Sequence, residues 1–483
     1  MMAFFAIVYA LISLVNHYTF RTYALDLGLH NHALYDYSHF RFNYSLILQP
    51  LFEPRNQLSD HFDLMVILLS PLLWIFGSWT LLIVQIAAIL FGGFGIYKYF
   101  KNKTTNPSLP LLAMFHFYSI WGIYSALSFD YHSNVMAAMF MPWYIYFFDK
   151  KDWNKTILFF ILMIICKEIT GLWLFFINIG LLIHYRKQKE YRVKSLLFSI
   201  ISIAYFYSMI RFIIPALSPS GNNYIHFSFD ALGRTPEDAI NTVLRRFQYV
   251  ISLLFESPNQ GYFAIKTELH FYVLLSGGFA LFYKPQFALM LISIYAQKLF
   301  HSDPTKWGIN YHYSIEFVPV ITLALFTWLC EKNINSNKQK RLAFIFTAIS
   351  FVAGIASLDH RYSVYYDRSQ ACFFDDRHYK QPFNPTEIHH AINKIPALAK
   401  VSAGASLVPH LAMRDSIFCY PYIGNSDFIV LLKKGGSTFP QYPKEFKKSL
   451  LELSRDSMYV KVFDENELLI YQNKKYQQVL NFK

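Results

Sequence analysis

The sequence predicts an all-α polytopic membrane protein with a small external C-terminal α/β domain. Three observations predict it. Long apolar runs divide residues 1–357, the Lys and Arg of the short connectors fall on alternate connectors, and beyond residue 357 the apolar runs shrink to strand length. Composition agrees, with 54% hydrophobic, 19% aromatic and only 16% charged residues, where a soluble chain carries roughly 25% charge. The net charge of +13 does not indicate nucleic acid. It sits in short loops beside apolar spans, where it reads as topology and contact with anionic membrane lipids.

A crossing helix needs about 20 apolar residues, with a range near 17–25. The expected spans are 2–20, 80–97, 108–125, 133–148, 153–166, 169–184, 195–214, 268–283, 286–300, 313–330 and 341–357, about 11 transmembrane helices in all. Residues 2–20 lack a basic n-region and a small-residue cleavage site, so they read as a retained first span. The basic connectors hold Lys98/Lys101/Lys103, Lys150/Lys151/Lys155, Arg186/Lys187/Lys189/Arg192/Lys194, Lys284 and Lys332/Lys338/Lys340/Arg341. Positive charge is retained in the cytoplasm. The N-terminus is therefore expected inside and the C-terminal domain outside. Segment 62–78, FDLMVILLSPLLWIFGS, would reverse every later connector if it crossed, so it reads as a re-entrant or interfacial element on the outer face.

The expected organisation is a transmembrane domain over residues 1–357 and an external domain over 358–483. Two outer insertions interrupt the first. Residues 21–61 contain DLGLHNHALYDYSHF, spaced as a surface-lying helix. Residues 215–267 open with Pro215 and Pro219 and contain a helix, PEDAINTVLRRFQYVISLLF. In the external domain VSAGAS, DSIFCYP, DFIVLLKK, MYVKVFD and ELLIYQ read as strands, and HHAINKIPALAK and PKEFKKSLLELSRD as helices. No internal repeat of the transporter kind is visible. Four cysteines form no disulfide framework. Cys372 and Cys419 alone share the external part, where two unpaired buried thiols are the expectation and a bridge the alternative.

The polar residues of the outer loops are the candidate site. Asp26 suits deprotonation of an acceptor hydroxyl or binding of a divalent cation; its plainer role is a helix N-cap. Asp60–His61–Phe62–Asp63 suits proton transfer or metal ligation, or is simply a solvated loop end. Asp130 and His132, in SFDYHSN, share one side of an extended turn as an acid–base or ligand pair would. The alternative is capping of the following helix by Asp130 or Ser133. Lys167–Glu168 interrupts ILMIICKEITGLWLFF. Ionisable groups at that depth usually face a cavity or a partner, and a lysine there suits a phosphate as a point charge. The plainer reading is a turn whose side chains snorkel to water. His312, in GINYHYSIEF, reads as structural. There is no Gly-rich phosphate loop, no Cys/His metal spacing and no nucleophile elbow.

DLGLHNHALYD, DHFDLMVILLSPLLWIFG with TLLIVQ, FDYHSN and CKEITGLWL resemble, in that order, a family of bacterial integral membrane proteins of unknown function. NYHYSIEFVPVI and ASLVPHLAMRDSIFCYP with DFIVLL resemble its later parts, so the likeness covers most of the chain. The sequence departs from it at Ile169, where the family often has Asp, and at Asp63, where it has Ser. That family is in turn similar to the GT-C superfamily of polyprenyl-phosphate-sugar-dependent glycosyltransferases. The resemblance implies a GT-C-like fold in a bacterial inner membrane, a polyprenyl-phosphate-sugar donor, and a glycan, lipid or protein acceptor on the outer face.

Carried over, Asp26 matches the first-loop carboxylate, and Asp130/His132 lie where the second acidic outer loop would. The expected catalytic residues are Asp26, Asp130 and Glu168, and the expected substrate-binding residues are His61, His132 and Lys167. The resemblance implies no certain cofactor, a divalent cation being one option. The competing readings are a transporter or lipid flippase, and a non-catalytic scaffold whose outer domain binds a partner.

Overall fold

Where no water reaches the peptide groups, a segment must close its own backbone hydrogen bonds, and the apolar runs do so as helices. The computed structural model describes residues 1–49, 55–218, 224, 226–256, 262–332 and 334–477. Up to residue 359 the described chain is predominantly helical. Among the described residues three helical stretches are long and apolar enough to cross a membrane: Met65–Lys101, Lys189–Leu217 and Ser336–Asp359. Met2–Tyr18, Trp153–Ile164, Glu168–His184 and Phe317–Glu331 are apolar but shorter. The apolar window of Lys189–Leu217 is only 22% buried, and Leu196, Leu197, Ile200 and Ile203 are exposed. So large an exposed apolar face marks contact with lipid rather than water. Ser133–Asp149, by contrast, is buried along nearly its whole length and forms the middle of the bundle.

The basic connectors lie together at one end of the bundle. Lys103 pairs with Asp149 at 2.5 Å, and Tyr185 donates to the same carboxylate. Lys151 pairs with Glu190 at 2.5 Å, Lys284 pairs with Glu331, and Asn106 donates to the Ser336 carbonyl at 3.1 Å. The long loops and the sheet occupy the opposite end.

Segment 62–78 breaks into short helical pieces, Met65–Leu69, Ser70–Leu72, Leu73–Phe76 and Gly77–Trp79. Gly77, at φ +55°, makes a reversal that a side chain would resist. The twelve residues Met65–Phe76 extend about 18 Å, well short of a hydrocarbon core of roughly 30 Å. Both ends of the segment sit at the loop end of the bundle. The Leu64 N–H donates to Ile165 O at 3.0 Å, and Ser78 Oγ lies 3.2 Å from His17 Nε2. Leu68, Trp74 and Ile75 face outward.

The helix expected in the first outer loop forms at Leu29–Ser38, but it is buried rather than surface-lying, with only Tyr35 and Ser38 outside its buried set. Its position explains this: it is covered on one side by the 65–76 segment and on another by the C-terminal part. Asn31 Nδ2 donates both to Ser78 O at 3.1 Å and to Pro409 O at 3.0 Å. In the second outer loop Pro219 lies outside the described residues. The single helix expected over 236–255 is two, Pro236–Arg245 and Phe247–Ser252, broken at Arg246. The first opens with a reciprocal Thr235–Asp238 capping box.

Strands β1 (Tyr44–Ser45) and β2 (Arg55–Asn56) make a short antiparallel pair. The C-terminal sheet comprises β3 (Val401–Ala403), β4 (Ile417–Cys419), β5 (Phe428–Leu432), β6 (Tyr459–Glu465) and β7 (Leu468–Asn473) in the order β4-β3-β5-β7-β6. β3 runs parallel to β4 and β5, while β7 is antiparallel to β5 and β6. Alternation along β5 assigns its faces. Phe428, Val430 and Leu432 join a core with Ile388, Ile392 and Leu407, whereas Ile429 and Leu431 pack with Phe446 and Leu453. The first core also takes in Phe20, Ala24, Leu29 and Ile47 of the first outer loop. The Cys419 N–H donates to Ile47 O at 3.1 Å, so the loop and the sheet share one hydrophobic interior. The helix expected at 389–400 runs instead over Pro385–Asn393, because Pro396 disfavours helix at the residue before it. All four cysteines are free thiols.

Candidate functional site

Two polar clusters meet at the loop end of the bundle. The first is organised by the turn between the helices Trp121–Leu127 and Ser133–Asp149. Gln85 fixes that turn by accepting the His132 N–H at 3.0 Å. Asp130 then reaches across to the first outer loop, where its Oδ2 accepts the N–H groups of Tyr23 at 3.0 Å and Leu27 at 3.2 Å. These bonds hold the π-helical turn Ala24–Gly28 and aim Asp26 back at the bundle. Asp26 Oδ1 lies 3.2 Å from His132 Nε2. The His132 ring stacks on His312 at 3.5 Å, and His30 Nδ1 bonds the Asp26 carbonyl at 2.8 Å. Gly28 lets the turn approach the sheet domain, since a Cβ there would meet Val408 Cγ1 at 2.9 Å.

The two carboxylates of this cluster are driven apart. Burial pushes Asp26 up, but the His132 hydrogen bond and the charges of His132, His30 and Lys167 outweigh it and hold Asp26 below its ordinary value. Burial and the neighbouring Asp26 push Asp130 up to about 8, against the two backbone donors. Burial and the His132 charge lower His30 to about 4. Asp26 is therefore the anionic member of the pair at neutral pH, and Asp130 holds it in place.

The second cluster surrounds Glu168, which begins the helix Glu168–His184 and is fully buried. Its Oε1 lies 3.0 Å from His61 Nδ1 and accepts the Tyr224 hydroxyl at 2.8 Å, while Oε2 accepts the Phe62 N–H at 3.0 Å. One carboxylate thus ties the end of the first outer loop to the second. His226 completes the group, its ring stacked on His61 at 4.1 Å and its Nε2 3.2 Å from Asp60 Oδ1. Lys167 is in extended conformation before the helix; its carbonyl accepts the Thr170 N–H at 3.0 Å, while its ammonium makes no hydrogen bond or ion pair among the described residues. Its charge reaches Asp26 in the first cluster and Asp60 and His61 in the second. Between the clusters stand His30 and Asp63, 4.0 Å apart, and Asp63 Oδ1 accepts the Met65 N–H at 3.0 Å.

Asp26, Asp130, His132, His61 and Glu168 therefore belong to these two adjoining clusters, and Lys167, the sixth residue singled out in the sequence, stands beside both without a bond to either. Their neighbours were not all foreseen. His30 has a sequence signal, standing four positions after Asp26 on one helical face. Tyr224, His226 and the buried pair Asn134–Glu316, bonded at 2.9 Å, have none, because their partners are distant in the chain. Beside the network, between the first loop and the sheet domain, is a cleft of about 450 Å³ lined by Arg21, Tyr23, Gln370, Arg377 and the Gly435–Ser437 turn.

Apolar helices with an outward lipid-compatible face, and a polar network built by loops at one bundle end, define a helical membrane protein with a small C-terminal sheet. The chain belongs to the DUF2079 family of predicted membrane proteins, whose sequence profile matches residues 16–469. That stretch contains every residue of the network. No curated protein matches the chain.

Proposed function

We propose that this protein is a GT-C-type glycosyltransferase that moves a sugar from a polyprenyl-phosphate-linked donor to an acceptor on the outer face of a bacterial inner membrane. In this reading about 11 helices cross, the basic connectors are cytoplasmic, and the site and sheet domain are outside. The observation that carries it is Lys167. It is a half-buried cation without a protein partner among the described residues, next to a network whose anionic carboxylate, Asp26, is held ready on a braced turn.

Lys167 would hold the donor phosphate and stabilise the charge that develops as it leaves, which is where a preorganised cation helps most. The bond from sugar C1 to the phosphate oxygen breaks, its electron pair staying on the phosphate. The acceptor oxygen bonds to C1, and its proton passes to Asp26. His132 orients Asp26, Asp130 braces the turn, and Glu168 positions the loops. The exposed face of Leu68, Trp74 and Ile75 suits the isoprenoid tail, and the cleft beside Arg21 suits a polar acceptor.

Donor binding and sugar release by the purified protein in nanodiscs test this. Lys167→Ala should weaken donor binding as well as turnover. Asp26→Asn should leave donor binding nearly intact and lower turnover about 10²–10⁴-fold, the usual cost of losing a general base. Full turnover by Asp26→Asn, or no donor binding by the unmodified protein, would move the reading to a transporter or flippase.

A further inference from the structure

We infer that Asp60, His61 and His226 bind a divalent transition-metal ion, which joins the two outer loops beside Lys167. Each of the three offers one ligand atom, and these atoms lie within 4.8 Å of one another. Bonds of about 2.0–2.2 Å in a tetrahedral set place ligand atoms about 3.3–3.6 Å apart, so an inward movement of the loops on the order of an ångström closes the set. All three side chains are partly exposed, which leaves an ion a route in.

The surroundings are those of a ligand set rather than of a loop strut. Metal-bound imidazoles commonly have their second ring nitrogen held by a carboxylate, which fixes ring orientation and raises basicity. Glu168 Oε1 does this to His61 Nδ1 at 3.0 Å. Glu168 is itself immobilised by Tyr224 and Phe62. His61 is thereby left with Nε2 for the ion. The His226 ring lies nearly parallel to it, with 17° between planes, and its Nε2 already faces Asp60 Oδ1 at 3.2 Å. An ion replaces the proton shared there. Two imidazoles and one carboxylate suit Zn²⁺ and its neighbours better than Mg²⁺, which prefers oxygen. Three protein ligands leave at least one position for an outside oxygen donor, the arrangement of sites that act on a ligand. Asp60 and Glu168 together exceed Lys167 by one negative charge, so a divalent ion turns the site net positive and receptive to a phosphate oxygen.

Metal binding is independent of the donor reading, and its test uses no donor. The full-length protein in detergent, stripped with a chelator, is titrated with Zn²⁺ by calorimetry, and its thermal unfolding is followed with and without Zn²⁺. One Zn²⁺ per chain and a rise in Tm are expected. His226→Ala and Asp60→Asn should each weaken binding at least about tenfold, and Glu168→Gln about 10–100-fold, as for a carboxylate that orients a ligand. Substitution by Co²⁺ should give a visible ligand-field spectrum that His226→Ala abolishes. The unmodified protein decides the matter even if a variant fails to fold: no Zn²⁺ binding, or binding unchanged in His226→Ala, would overturn the inference.

Discussion

Asp130 caps the turn that carries Asp26. The Asp130 carboxylate accepts the N–H groups of Tyr23 and Leu27, on either side of Asp26, at 3.0 and 3.2 Å. Asp26, which the sequence offers as the cap, is left free to face His132. A residue in the turn between the helices Trp121–Leu127 and Ser133–Asp149 therefore decides where a residue of the first loop points.

Removing that cap should be costly. Asp130→Ala leaves a buried donor, Leu27 N–H, and a part-buried one, Tyr23 N–H, without an acceptor, and an unsatisfied buried group costs about 1–3 kcal/mol. Asp130→Asn keeps an oxygen in place and should lose much less. Thermal unfolding in detergent compares the two, and equal stability would show that the turn holds without Asp130.

The same residue gives a pH dependence whose sign follows from its pKa. Asp130 is raised to about 8 in the folded protein, against about 3.9 when unfolded. Between these values the folded state binds more protons than the unfolded one, so stability falls as pH rises. The contribution is fully present below about pH 4 and is lost by pH 8 or so. Asp130→Asn should flatten this slope. A Tm series from pH 5 to 8.5 in both proteins checks it, and parallel curves would contradict the assignment.

Gly28 sits where the first loop meets the sheet domain. In Gly28→Ala the new methyl would lie 2.9 Å from Val408 Cγ1, and overpacking of this kind costs about 1–3 kcal/mol. Shortening the neighbour should relieve it, so Gly28→Ala with Val408→Ala should be more stable than the sum of the two single changes predicts. Additive losses would mean that the contact is not the cause.

Sidedness is open to direct measurement. Reporters fused after Lys103, Lys151 and Lys189 should read cytoplasm, and those after Asp130 and at the C-terminus should read the outside, because positive connectors stay in the cytoplasm. A cytoplasmic C-terminal reporter would reverse the orientation and with it the outward site.

Much of the site is legible in the sequence because charge beside apolar runs is conspicuous. Asp26, His61, Asp130, His132, Lys167 and Glu168 each interrupt or border such a run, and the energetic penalty of an ionisable group there is a local property. The five strands of the C-terminal sheet are visible for a similar reason, as short apolar runs between turn residues. Helix 236–255 is less legible. Its apolar spacing continues through Arg246, where the backbone breaks.

By itself, then, the sequence determined the helical character of the first part of the chain, the C-terminal sheet and the alternation of the basic connectors, since hydropathy and charge act over neighbouring residues. Tertiary structure alone decided the partners: His226 with Asp60 across 166 positions, Tyr224 with Glu168 across 56, Asp130 with the backbone beside Asp26 across about 100. It also decided that the Leu29–Ser38 helix is buried, because the sheet domain, some 370 residues later, covers it. Hydrogen bonds act over about 3 Å, and only the packing of distant segments brings such groups within that range.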